Sequence, residues 1–326
     1  MRKLISICLL ACATWLAPGV LLAQEPQWPA KPLRIIVPGG TGGVLDIRAR
    51  WLAPRMAAAL GQAVTVENKT GAGGNIGTEM AARSAPDGYT LVLIHHGTMA
   101  VNPHLYARAG YDPLVDFIAL TRIGGSATLV LAVAADSPAK DLTALLRMAR
   151  ENPGRLSFGS PGIGTPPHMT GELFKRLAGI DVIHVPYKGG GQAANDLIAG
   201  HVNWTFDGST VQLPLIKVGR TRALAVTGSA RVPGLPDVPT LAEAGVPGYE
   251  FTAWSGIALP AGTPTPIVAR LHAEISKILG SAEAREYFGS LSLSAGADSM
   301  DAFATQIRTE HAKWGDIIKQ TRMKAE

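Results

Sequence analysis

The sequence predicts an α/β fold of mostly parallel sheets flanked by helices, divided into two domains. Short apolar runs alternate with stretches of helical periodicity, and glycine-rich turns stand where several of those runs end. The 326 residues are about twice the length of one ordinary domain. With 47% hydrophobic and 17% charged residues, the chain has the composition of a packed globular protein. Its net charge of +5 is spread without a basic block, and aromatics make up only 6%. No nucleic-acid partner is expected from that pattern.

From the N-terminus, Arg2 and Lys3 precede a largely apolar stretch, Leu4 to Ala23, before the polar Gln24. Residues 1–23 therefore read as a secretory leader cleaved near Ala23, so the mature chain is expected to be exported. A membrane anchor fits less well, because Pro18 and Gly19 interrupt the run and no charge follows to stop transfer. Leu9-Leu10-Ala11-Cys12 resembles a lipoprotein processing site, yet the apolar stretch continues past Cys12. Both cysteines, Cys8 and Cys12, leave with the leader. Disulfides and thiol catalysis leave with them.

Leu33 to Val37 predicts a buried strand that ends at Pro38 and Gly39-Gly40-Thr41-Gly42-Gly43. Leu45, Ala49, Leu52, Met56 and Leu60 then mark one face of a helix that stops at Gly61, with Pro54 expected to kink it. The unit recurs as a strand at 64–66, a turn at Gly71 to Gly77, a helix to about Ser84 and a strand at 90–94. A second run starts near Thr128, with strands at 129–133, 156–158, 182–185 and 202–206 and helices at 142–151, 169–177 and 193–199. A last strand is expected at 255–259. Helices carrying Ile267, Leu271, Ile275 and Ile278, and then Phe303, Ile307, Trp314 and Ile318, should return to the first domain. The expected division is 24–126 with 250–326 as domain 1 and 127–249 as domain 2.

Three loops, Pro38 to Gly43, Gly71 to Gly77 and Gly159 to Thr165, follow strands and precede helices, where backbone N–H groups favour an anion. The second fits a dinucleotide pattern, but the next strand ends in His95-His96 where a ribose-binding acid belongs. No G-x-S-x-G elbow surrounds Ser160, and the eight histidines lack metal-ligand spacing. No catalytic residue, metal or cofactor is therefore expected, although an exported hydrolase of small esters or amides remains the competing enzyme reading. In the third loop Thr165 suits a helix cap and Pro166 the first helical position, a structural role compatible with a carboxylate held by Ser160, Thr165 and nearby N–H groups.

From Trp28 onward the chain resembles the Bug-type periplasmic solute-binding proteins of the tripartite tricarboxylate transporter family. The markers are Ile36-Val37-Pro38, Val66-Glu67-Asn68 with Gly71-Ala72-Gly73-Gly74-Asn75-Ile76-Gly77, Pro86-Asp87-Gly88-Tyr89-Thr90, Asn102-Pro103, Tyr111-Asp112-Pro113, Gly164-Thr165 with His168, His184-Val185-Pro186-Tyr187-Lys188-Gly189 and Leu235-Pro236-Asp237-Val238-Pro239-Thr240. The resemblance implies a two-domain periplasmic-binding-protein (Venus-flytrap) fold, type II-like. Such a monomeric receptor captures a small carboxylate between its domains and delivers it to transporter subunits of the tripartite tricarboxylate type. A sensor feeding a signalling system is the alternative use of the same fold.

Matching positions imply ligand contacts from Gly39, Gly40, Thr41, Gly42, Gly43, Asp46, Gly97 and Thr98, and from Ser160, Gly162, Gly164, Thr165, His168, Tyr187, Lys188, Gly189 and Asp207. The first loop departs from the family, whose members commonly carry an aromatic residue and prolines there and a Thr before the Asp. This chain has Gly39-Gly40-Thr41 and Leu45-Asp46. Asp46 either turns along the helix start and accepts backbone N–H groups, or faces the ligand and takes an ammonium group. The apolar Leu45 favours the first arrangement. Asp207 has a similar choice between holding a turn and touching ligand, and Lys188 between a solvated loop and a carboxylate.

Overall fold

The computed structural model describes residues 28–321, 324 and 325; the leader read at residues 1–23 lies outside them. Strand β1 (Leu33–Val37) leads through the first glycine loop into α1 (Val44–Leu60), β2 (Val64–Asn68), α2 (Asn75–Ala82) and β3 (Thr90–His95). A π-helical turn at Gly97–Val101 and the short α3 (Asn102–Leu105) precede β4 (Phe117–Ala134), followed by α4 (Leu142–Glu151). Then come β5 (Ser157–Ser160), α5 (Pro166–Ala178), β6 (Ile183–Pro186), α6 (Gly190–Ile198), β7 (Trp204–Gly208), α7 (Ser209–Lys217) and β8 (Thr221–Val226). The chain closes with β9 (Thr252–Pro260), α8 (Thr265–Leu279), α9 (Ala282–Ser290) and α10 (Met300–Thr321).

Local chemistry accounts for several boundaries. Gly61 takes the left-handed conformation (φ 70°) and donates to the Ala57 carbonyl, which ends α1 as expected. Pro54 lies inside α1 without ending it. Asp141 accepts from the Ala144 N–H at 2.7 Å and starts α4. Thr165 stands at the start of α5, but its hydroxyl donates to the Gly162 carbonyl at 2.6 Å instead of capping the helix. The next two residues are Pro166 and Pro167, which have no N–H for a cap to receive.

Strand pairing forms two groups. In the first the order is β2-β1-β3-β9-β4, and in the second β4 lies between β8 and β7, followed by β5 and β6. The sheets are more mixed than the strand-helix alternation predicts. β1 pairs in parallel with β2 and β3, and β5 with β6 and β7, whereas every pair made by β4 or β9 is antiparallel. β4 serves both groups. Its residues 117–128 pair with β9, and its residues 129–134 with β7 and β8. Gly124 and Gly125 have φ of 76° and 60°, and the register with β9 shifts between Arg122 and Ser126. This irregularity lets one strand leave the first sheet and enter the second.

Side chains alternate across the strands into separate cores. Leu33, Ile35 and Val37 join Leu52, Ile257 and Phe288, while Ile36 joins Val92, Trp254 and Phe303 on the opposite face. Leu129, Leu131 and Val133 meet Phe158, Phe174 and Trp204, while Val130 and Ala132 meet Leu197 and Val226. The last helix departs from its expected return to the first domain. Phe303 and Ile307 of α10 cover the first sheet, but Trp314 and Ile318 enter the core of the second. At 22 residues the helix is about 33 Å long, enough to span both. No helix of the described residues is long and apolar enough to cross a membrane.

Candidate functional site

The loops that follow the parallel strands meet across a cavity of about 310 Å³. Gly39, Gly40 and Gly43 line it from the β1–α1 loop, with Gly73 and Gly74 from the turn before α2. From the other sheet come Gly162 and Thr165, then Tyr187, Lys188 and Gly189, and Asp207 and Gly208 at the end of β7. Leu45, Tyr106, Leu129, Ile163 and Trp254 make much of the remaining wall apolar. Gly43, Thr165, Gly189 and Gly208 immediately precede α1, α5, α6 and α7. Four helix N-termini thus converge on one cavity, and their positive dipole ends favour an anion there.

Glycine is required because the loops of the two sheets touch. A Cβ on Gly40 would fall 2.8 Å from the Lys188 carbonyl oxygen, and one on Gly73 only 2.0 Å from that of Ile163. The Tyr106 hydroxyl, at the end of α3, donates to the same Ile163 carbonyl at 2.9 Å.

Eight residues expected at the site stand off the cavity wall. Thr41 is exposed, and Gly42 donates its N–H to Asp46 Oδ2 at 2.9 Å. Asp46 is buried and also accepts from Arg50 Nε at 2.9 Å, so the carboxylate is satisfied within its own loop and helix. Burial would raise its pKa, but the bonds from Arg50, Gly42 and Asn68 outweigh that and hold it below the ordinary value. This is the arrangement that Leu45 favours, except that the N–H received belongs to the loop before the helix. Gly97 and Thr98 lie in the buried π-helical turn, with the Thr98 hydroxyl donating to the His95 carbonyl. Gly164 donates its N–H to His168 Nδ1 at 3.1 Å, which keeps both in the loop's own scaffold.

Ser160 is fully buried, with Oγ 2.7 Å from His184 Nε2, and it accepts from the Gly162 N–H. The His168 and His184 rings lie 4.2 Å apart. Burial pushes these histidines down to about 4 and about 3, so both are neutral near pH 7. Ser160 and His184 thereby hold the loop that carries Gly162, and the serine presents no surface to a substrate.

Thr165 has a related role. Thr165→Val removes the 2.6 Å bond to Gly162 and leaves that carbonyl only the longer bonds, at 3.3 Å, from Ser160 Oγ and the Thr165 N–H. The expected loss is about 1 kcal/mol of stability together with weaker ligand binding. Parallel thermal melts and calorimetry check this, and an unchanged melting temperature would contradict it.

Asp207 differs from Asp46 because, among the described residues, no cation is paired with it. It is buried, accepts the neighbouring Gly208 N–H at 2.7 Å, and burial pushes its carboxyl up to about 7. The unfolded carboxyl titrates near 3.8, so between pH 4 and 7 the folded state holds more protons than the unfolded one. Stability from this group is therefore present at low pH and lost as pH rises through about 7. Asp207→Asn keeps an acceptor for Gly208 without the charge. Relaxation of the cavity wall will reduce the full linkage effect, so the variant should exceed wild type at pH 8 by about 2 kcal/mol. Urea titrations at pH 4 and pH 8 measure the gap, which should close at pH 4; an equal gap at both would contradict the assignment.

Sequence reasoning missed Arg48, which lines the cavity beside Trp254 and Ser255. It lies three residues after Leu45 and four before Leu52, within the stripe read as core. A cation in that stripe was the available signal. His95 also lines the cavity and is pushed down to about 3 by burial. Its Nδ1 accepts from the Gly97 N–H at 3.0 Å, which leaves the ring proton on Nε2.

Known proteins share this architecture. The tripartite tricarboxylate transporter family receptor model matches residues 48–323. BugT of Bordetella pertussis is 34% identical over 298 residues, covering 91% of this chain and 91% of its own. An R. palustris protein solved with adipate superposes with a TM-score of 0.85 at 34% identity, covering 90% of this chain and 97% of that one. MatC from Rhodopseudomonas palustris with bound malate superposes at 0.84 with 31% identity, covering 89% and 100%. With a family match over most of its length and with its converging loops, the chain belongs to the tripartite tricarboxylate transporter receptor family, the Bug-type periplasmic solute-binding proteins.

Proposed function

We propose that this protein is a monomeric periplasmic receptor that captures a small carboxylate and hands it, chemically unchanged, to a membrane transporter of the tripartite tricarboxylate type. The ligand lies between a domain of residues 24–126 with 250–326 and a domain of residues 127–249, joined where β4 and β9 run side by side and bridged by α10, whose Trp314 and Ile318 pack into the second. The observation that carries this reading is the convergence of four helix N-termini on one cavity. Their combined dipoles select an anion without a fixed counter-charge at each loop, and the backbone N–H groups supply donors. Adipate and malate in the related structures are small carboxylates of the class this cavity suits.

The mature chain should be stabilised by a cognate acid from a panel that includes adipate, malate and benzoate. At one hundred times its dissociation constant a ligand adds about 2.7 kcal/mol, or several degrees in melting temperature for a chain of this length. The acid recovered afterwards should be unaltered. Failure of every carboxylate to shift the melt, or steady conversion of an ester or amide, would contradict the receptor reading.

A further inference from the structure

We propose that Arg48 binds a ligand carboxylate directly, forming with Ser255 an anion subsite that selects acids with an apolar body. The inference rests on the receptor reading and names the chemistry of its ligand. Arg48 is 2% exposed, yet among the described residues no carboxylate lies within ion-pair distance of it. Its Nη1 donates to the Ile123 carbonyl at 2.6 Å and to Ser255 Oγ at 2.5 Å, while its buried Nε has no partner. Both Arg48 and Ser255 line the cavity.

A buried charge is ordinarily paired, because removing it from water is costly. Burial lowers the Arg48 guanidinium only to about 10, so it remains charged at neutral pH. The ion is also held in position. Gly124, at φ 76°, brings its backbone close enough that a Cβ would fall 3.0 Å from Arg48 Cζ, with Phe288 on the same side. A planar, pre-positioned guanidinium with an unused donor suits a carboxylate.

Other charges facing the cavity are few. His95 is neutral, Asp207 is largely protonated below pH 7, and Lys188 is an exposed residue at the cavity's edge. Leu45, Ala127, Leu129 and Trp254 form apolar wall on the same cavity. An acid with an aliphatic chain or aromatic ring therefore satisfies both the cation and the wall, whereas the hydroxyl of a small hydroxy acid meets hydrocarbon there.

Calorimetry of wild type, Arg48→Met and Ser255→Ala with adipate, benzoate, malate and the neutral adipamide tests the subsite. Wild type should prefer adipate or benzoate over malate. Arg48→Met should weaken the preferred acid roughly a hundredfold, and Ser255→Ala about five- to tenfold. Adipamide should show no difference between wild type and Arg48→Met. The unliganded Arg48→Met protein should melt at or above the wild-type temperature, because a lone buried charge is replaced by a hydrocarbon chain. If Arg48 is only structural, that variant melts lower and binds the acid as wild type does, which overturns the subsite. If Arg48→Met fails to fold, Ser255→Ala decides: unchanged affinity overturns the proposal. Preference for malate overturns the apolar-body selection, and no binding of any acid by wild type overturns the receptor reading itself.

Discussion

Gly40→Val should weaken binding of the preferred acid at least about a hundredfold while leaving the melting temperature of the unliganded protein within a few degrees of wild type. Gly40 belongs to the β1–α1 loop, and its α-carbon faces Lys188 and Gly189 across the join between the two sheets. A Cβ there would fall 2.8 Å from the Lys188 carbonyl oxygen and 3.1 Å from Gly189 Cα. Those neighbours are backbone and cannot rotate away. Gly40 is not in the left-handed conformation, so valine brings no intrinsic strain of that kind. The cost falls on the approach of the two loops.

A hundredfold loss corresponds to about 2.7 kcal/mol, a plausible penalty for separating two packed loops. A variant that disfavours contact between these loops reduces affinity in proportion to the population that keeps the contact. Gly289→Ala is the control, since nothing lies within 4 Å of its added carbon. Full affinity in Gly40→Val would show that ligand is held without contact between these loops.

Trp204→Ala should cost about 3–5 kcal/mol of stability. Trp204 is fully buried in β7, stacked on Phe158 with ring centroids 6.3 Å apart and meeting Phe174 edge-on at 6.5 Å. Replacing the indole opens a cavity beside Phe158 and Phe174, which the second sheet and its helices hold in place. At a few degrees per kcal/mol for a chain of this size, the melting temperature should fall by about 10 °C. Urea titration gives the free energy, and a loss under about 1 kcal/mol would contradict this packing. Asp207 lies three residues along the same strand, so some loss of ligand binding should accompany the destabilisation.

The elements easiest to read were those with local signals. β1 and α4 fall at the residues predicted, because an apolar run between turns and a strong helical period need no distant information. The first half of β4 escaped notice because Gly124 and Gly125 interrupt it, although the interruption is what allows the strand to change sheets. α7 follows β7 without a loop and contains Pro214, so neither the helix nor β8 had clear punctuation.

The site was legible as loops more than as side chains. Glycines after strands pointed to Gly39, Gly40 and Gly162, but their close approach to another loop is a tertiary property. Thr165 looked like a helix cap until the structure placed its hydroxyl on the Gly162 carbonyl. Arg48 was hidden because its partners, Ile123 and Ser255, are 75 and 207 residues away in sequence. Only the fold distinguishes a cation inside an apolar stripe from one at the edge of it.

Native mass spectrometry of the mature protein, incubated with an equimolar mixture of adipate, benzoate and malate, tests the receptor account most directly. The account predicts a one-to-one complex with one intact acid, retained by wild type and lost from Gly40→Val. A protein that stays bare throughout, or that carries or releases a chemically altered acid, would contradict it.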